Sequence, residues 1–212
     1  MSCGSDFEKN YFATPSETLI GLNIYNMGDY IPTLFTSETG NIYYKFKEQW
    51  HVVSHFFNGQ PGDYRFSNLW FDMANSDGSR YTIKKYWQNS SLNGETSDDF
   101  DVNRQLVPLI RLLEVYLIAV ETTPSATEAA TLFEIFKVSR GRNYAKDIEN
   151  GLEEELLNEY RRELIGEGQM FFTYKRLGKT GMWDVNDAGQ VYWREVKEEN
   201  YLLPIPNTEI EY

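Results

Sequence analysis

From Thr18 to Tyr25 the run Thr-Leu-Ile-Gly-Leu-Asn-Ile-Tyr mixes aliphatic, β-branched and aromatic side chains, and Asn26, Gly28, Asp29 and Pro32 then interrupt it. That composition predicts a strand. Asn41 to Phe46 and Arg80 to Trp87 have the same character. Asn58-Gly59-Gln60-Pro61-Gly62-Asp63 and Asn75-Ser76-Asp77-Gly78-Ser79 supply the residues that tight turns require. Ser90 to Asp101, with Asn93-Gly94 and the aspartates 98, 99 and 101, reads as a long exposed loop.

Beyond Val102 the period becomes helical. Leu106, Leu109, Ile110, Leu113, Leu117 and Val120 recur at spacings of three and four, predicting a helix with Pro108 in its first turn. Neighbouring apolar residues at Val107, Leu112 and Val115 suggest deep burial. Thr123-Pro124-Ser125 separates it from a second, antiparallel helix carrying Ala126, Ala129, Ala130, Phe133 and Phe136 and ending at Gly141. A third helix is expected from Lys146 to Arg176, bent or interrupted at Gly166 and Gly168. Asn186-Asp187-Ala188-Gly189 then predicts a hairpin braced by Trp183 and Trp193. The two prolines of Tyr201-Leu202-Leu203-Pro204-Ile205-Pro206 predict an extended tail.

A length of 212 residues, 41% hydrophobic and 16% aromatic, is enough for one sizeable core. The net charge of -12 disfavours nucleic acid and anionic lipid headgroups and suits neutral or cationic ligands. Cys3 is the only cysteine, so no intrachain disulfide or cysteine metal cluster is available. No apolar run is long enough for a membrane-spanning helix.

Catalytic signatures are incomplete. Gly178-Lys179-Thr180 ends like a phosphate loop, but Thr173 stands where the earlier glycine belongs. His51 and His55 have zinc-protease spacing, with Val52 in place of the general base. No nucleophile elbow occurs. Neither the acidic loop 98–101 nor Asp184 to Gly189 has the ligand pattern of a calcium loop. No metal or other cofactor is expected. A glycosidase using two carboxylates stays open, because their separation is a property of the fold.

Three segments carry a resemblance. Val107-Pro108-Leu109-Ile110-Arg111-Leu112-Leu113-Glu114-Val115-Tyr116-Leu117-Ile118-Ala119 is similar to a characteristic helix of the SusD/RagB family of outer-membrane glycan-binding lipoproteins. The stretch from Glu159 to Gly178 resembles a second family helix, matching at Glu163, Leu164, Glu167, Gly168, Arg176 and Gly178 but departing at Gln169-Met170 and Thr173. Leu202-Leu203-Pro204-Ile205-Pro206-Asn207-Thr208-Glu209-Ile210 resembles the family's closing segment.

The resemblance implies a helix-rich α+β fold: a SusD-like carboxy-terminal helical core with β-hairpins and long loops, lacking most of the family's amino-terminal helical repeats. Residues 1–15 are expected as a tether-like segment and 16–212 as one domain. Within it, 16–101 is rich in strands and loops, 102–178 is helical, and 179–212 forms the terminal hairpin and tail. The implied function is non-catalytic: binding of an oligosaccharide or polysaccharide and its delivery to a SusC-like TonB-dependent transporter at the outer membrane. Cys3 is the expected lipidation site, and its lipid anchor the only expected membrane contact. Flat aromatic faces suit sugar rings and amides suit hydroxyls, so Trp50, Tyr64, Asn68, Trp70, Tyr86, Trp87, Gln88 and Asn89 are the glycan-binding candidates. Glu163 and Arg176 are expected to be structural. A truncated scaffold that contacts only a protein partner is the alternative, followed by the paired-carboxylate glycoside hydrolase.

Overall fold

The computed structural model of the protein describes residues 6, 14–24, 52–75, 78–83, 85, 106–186 and 191–202. Strand β1 (Thr18–Asn23) is followed by a π-helical turn, Val52–Phe56, and by helix α1 (Tyr64–Leu69), which runs directly into β2 (Trp70–Asn75). Then come β3 (Gly78–Ile83), β4 (Leu106–Arg111), α2 (Leu112–Thr122), α3 (Ala126–Ser139), the short α4 (Tyr144–Asp147), α5 (Leu152–Leu164) and α6 (Met170–Arg176). Strands β5 (Gly181–Val185) and β6 (Val191–Glu195) end in a 3-10 turn, Glu198–Tyr201.

Among the described residues the strands form three separate antiparallel pairs, β1 with β4, β2 with β3, and β5 with β6. The β2–β3 hairpin keeps perfect register from Trp70 opposite Ile83 to Asn75 opposite Gly78. The expected helix from Val102 is corrected: residues 106–111 are strand and the helix starts at Leu112. Pro108 explains the change. It disfavours helical geometry at Val107, while an edge strand tolerates its missing N–H. Pro108 lies opposite Gly21, where a side chain would collide with Leu106.

The main core lies between three helices. Leu113, Leu117 and Val120 of α2 meet Ala129, Phe133 and Phe136 of α3 and Leu156, Tyr160 and Leu164 of α5. Each spacing is that of one helical face, so the periodic apolar residues bury together. Fully burying a Leu or Phe contributes about 1.5–3 kcal/mol. The Ser125 side chain accepts from Glu128 N–H and fixes the start of α3. The third expected helix is divided into α4, a 3-10 turn, α5 and α6. Gly151, at φ 97, stops the chain before α5, and Gly166 and Gly168, at φ 78 and 72, separate α5 from α6. A smaller core of Leu157, Tyr174, Val196 and Tyr201 attaches the terminal hairpin to α5 and α6. Asp6, within the segment expected as a tether, is buried and accepts from Ser16 N–H and Oγ–H.

Candidate ligand-facing surface and the ionic core that positions it

Helix α5 places Glu155, Glu159 and Glu163 one residue ahead of Leu156, Tyr160 and Leu164, so an acidic row lies beside the apolar row and both are buried. Cations from α1, from α3 and its end, from β4 and from α5 itself converge on it. Glu159 meets Arg65 at 2.8 Å, Lys137 at 2.6 Å and Arg162 at 2.5 Å. Glu163 meets Arg65 at 2.7 Å, Arg140 at 3.0 Å and Arg111 at 3.4 Å. Glu155 pairs with Lys137 and with Arg162.

The network extends outward from that row. Arg140 forks onto both oxygens of Glu17 at 3.0 and 2.9 Å, joining the turn before β1 to α3. Arg142 holds Asp147 at 2.6 Å and Asp63 at 3.0 Å. Lys85 and Arg111 share Glu167. Among the described residues the network thus joins seven cations, Arg65, Lys85, Arg111, Lys137, Arg140, Arg142 and Arg162, to seven carboxylates, Glu17, Asp63, Asp147, Glu155, Glu159, Glu163 and Glu167. Seven against seven leaves no net charge inside it. The whole excess of -12 therefore lies elsewhere in the chain.

Burial alone would raise the Glu163 carboxyl, yet Arg140, Arg65 and Arg111 hold it down at about 2. Burial likewise opposes ionisation of Glu159, but Arg65, Lys137, Arg162 and Arg142 keep it well below the ordinary carboxylate range. Asp147 is lowered against the effect of its own burial by hydrogen bonding from Arg142 and the charge of Lys137. Lys85 moves the other way. Burial, then the charge of Arg111, brings it down to about 8 despite Glu167.

This core aims one candidate outward. Asp63 caps α1 by accepting from Arg65 N–H, and its carboxylate also binds the Arg65 guanidinium at 2.7 Å. With both neighbours locked inside, Tyr64 is turned out and is 47% exposed. Tyr64 N–H donates to the Arg140 carbonyl at 3.0 Å, and its ring lies so close to Gly141 that a Cβ there would be 3.1 Å from Cε1. Asn68, one turn along, donates from Nδ2 to the Tyr64 carbonyl at 2.7 Å. The structure therefore brings Tyr64 and Asn68 together on a rigid base.

Trp70 is a correction. It is 7% exposed, with its ring edge-on to Phe56 at 5.6 Å and to Phe57 at 6.4 Å, and so packs as core rather than as a sugar platform. Trp50, Tyr86, Trp87, Gln88, Asn89 and Cys3 lie outside the described residues, as do His51 and the 98–101 aspartates. Glu163 has the structural setting expected of it. Arg176 pairs with Glu121, which also accepts from Tyr160 Oη–H at 2.8 Å, tying α6 to α2 and α5. The terminal hairpin carries Trp183 opposite Trp193, as its sequence predicts. Both rings are substantially exposed, a feature the reading of them as braces did not include.

The match to known families agrees with the three sequence segments. The model of the SusD family matches residues 25–212, and the chain belongs to that family. Comparison with curated proteins and with solved structures found no match. SusD family proteins are in general outer-membrane-associated glycan-binding proteins of nutrient uptake, typically non-catalytic. Among the described residues no helix is long and apolar enough to cross a membrane.

Proposed function

We propose that this chain binds a neutral glycan without cleaving it and delivers it to a SusC-like TonB-dependent transporter, held at the outer membrane through a lipid on Cys3. Family membership over residues 25–212 carries the reading. Tyr64 and Asn68, with Trp50, Tyr86, Trp87, Gln88 and Asn89, are its proposed contacts. Electrostatics support the ligand class. A net charge of -12 repels anions and leaves neutral sugars unopposed.

A scaffold role has one observation in its favour. Leu19, Ile20 and Leu22 of β1 and Leu109 and Ile110 of β4 are all exposed, forming an apolar ribbon suited to a protein surface. Affinity isolation of the native protein from outer membranes separates the two readings. Glycan capture predicts recovery of both a TonB-dependent transporter and oligosaccharide of unchanged length. Transporter without oligosaccharide would favour the scaffold.

A further inference from the structure

The β5–β6 hairpin turns two indoles to the same face, because Trp183 and Trp193 are direct partners across the strands. Their ring centroids are 5.2 Å apart and their planes meet at 79°, which makes a corner. Trp193 lies over Gly181, where a Cβ would come within 2.6 Å of the indole Nε1; the absence of a side chain lets the ring rest on the strand backbone. Trp193 nonetheless stays 53% exposed. Trp183 is 39% exposed, and the His55 ring, 5.5 Å away, supports it from the Val52–Phe56 turn.

We propose that this corner is a sugar-stacking subsite for neutral pyranosides. The inference rests on the glycan-capture reading and adds a location. A pyranose presents a C–H face that fits the exposed indole of Trp193, with Trp183 as a side wall. The rim decides between a sugar and an apolar protein surface. Glu195, exposed and opposite Gly181, is on the indole face of the hairpin. Sugar hydroxyls can donate to its carboxylate, while an apolar partner would bury that charge unpaired. On the other face Asp184 is engaged by Tyr192 Oη–H at 3.1 Å and Arg194 Nη1–H at 3.0 Å, which braces the strands beneath the corner.

The test is calorimetric titration of the full chain with cellohexaose, xylohexaose and a mannohexaose, together with NMR of the indole N–H signals. Each oligosaccharide that binds should do so about tenfold more weakly to Trp193→Ala. Trp193→Phe keeps a ring on Gly181 and should show a smaller loss, while the Trp183 and Trp193 signals shift on titration of the unmodified chain. Binding that is unchanged in folded Trp183→Ala and Trp193→Ala variants, or unshifted indole signals in the unmodified chain, would overturn the subsite while leaving glycan capture intact. Absence of binding to every neutral oligosaccharide would overturn the glycan reading and this subsite with it.

Discussion

Replacing Glu159 by Gln removes one charge from the centre of the ionic core without changing its shape. The side chain is fully buried, and Arg65, Lys137 and Arg162 all lie within 2.8 Å of its carboxylate, with Arg142 at 3.7 Å. The amide leaves one acceptor oxygen and turns an N–H₂ toward buried cations. Breaking a buried pair by removing one partner costs about 3–5 kcal/mol, because the opposite charge stays desolvated. That is a large share of the roughly 5–15 kcal/mol that holds a domain folded. At about 2–4 °C per kcal/mol for a domain of this size, the midpoint of thermal unfolding should fall by about 6–20 °C. Urea unfolding at pH 7 should show a lower midpoint with an unchanged slope, since the surface exposed on unfolding is the same. Adding Lys137→Met restores the charge balance and should recover part of the loss. Glu153→Gln is the control; Glu153 meets Lys179 at the surface, and its removal should be barely measurable. A loss below about 1 kcal/mol for Glu159→Gln would refute the claim that this network holds the helices together.

The pH profile follows from the same groups. Glu163 has a folded pKa of about 2 against an ordinary 4.5, so its contribution is present above 4.5 and is lost as pH falls toward 2; Glu163→Gln should flatten that part of a urea-unfolding series. Lys85 has a folded pKa of about 8 against 10.5, so the unfolded chain binds the extra proton between those values and stability contributed by this group rises with pH there; Lys85→Met should remove that rise. Trp70→Ala should cost about 3–5 kcal/mol of stability by opening a cavity beside Phe56 and Phe57, measured by thermal unfolding. Tyr64→Ala, by contrast, should leave the unfolding midpoint nearly unchanged and weaken oligosaccharide binding in calorimetry.

The helical core was legible because Leu113, Leu117, Val120, Phe133, Phe136, Leu156, Tyr160 and Leu164 repeat with the period of the helices that bury them. Residues 106–111 misled for a physical reason: Leu106, Leu109 and Ile110 fit a helical period, but Leu109 and Ile110 are exposed on an edge strand that Pro108 favours. Gly151 was the unread break before α5, although Gly166 and Gly168 were recognised. The ionic core was the larger omission. Glu155, Glu159 and Glu163 repeat every four residues directly beside the apolar positions, and such spacing also describes a solvated helix face. Their partners come from residues as distant as Glu17 and Arg65, pairings that periodicity does not encode. Trp70 was misplaced for a related reason. A tryptophan next to turn residues has the same sequence signature whether its ring faces sugar or, as here, Phe57.

The most direct test of non-catalytic capture is titration of the purified chain with neutral oligosaccharides by calorimetry, followed by mass analysis of the recovered sugar. Saturable binding with every oligosaccharide recovered at its original length is the predicted result. Release of shorter sugars with new reducing ends, or no binding by a chain shown to be folded, would contradict it.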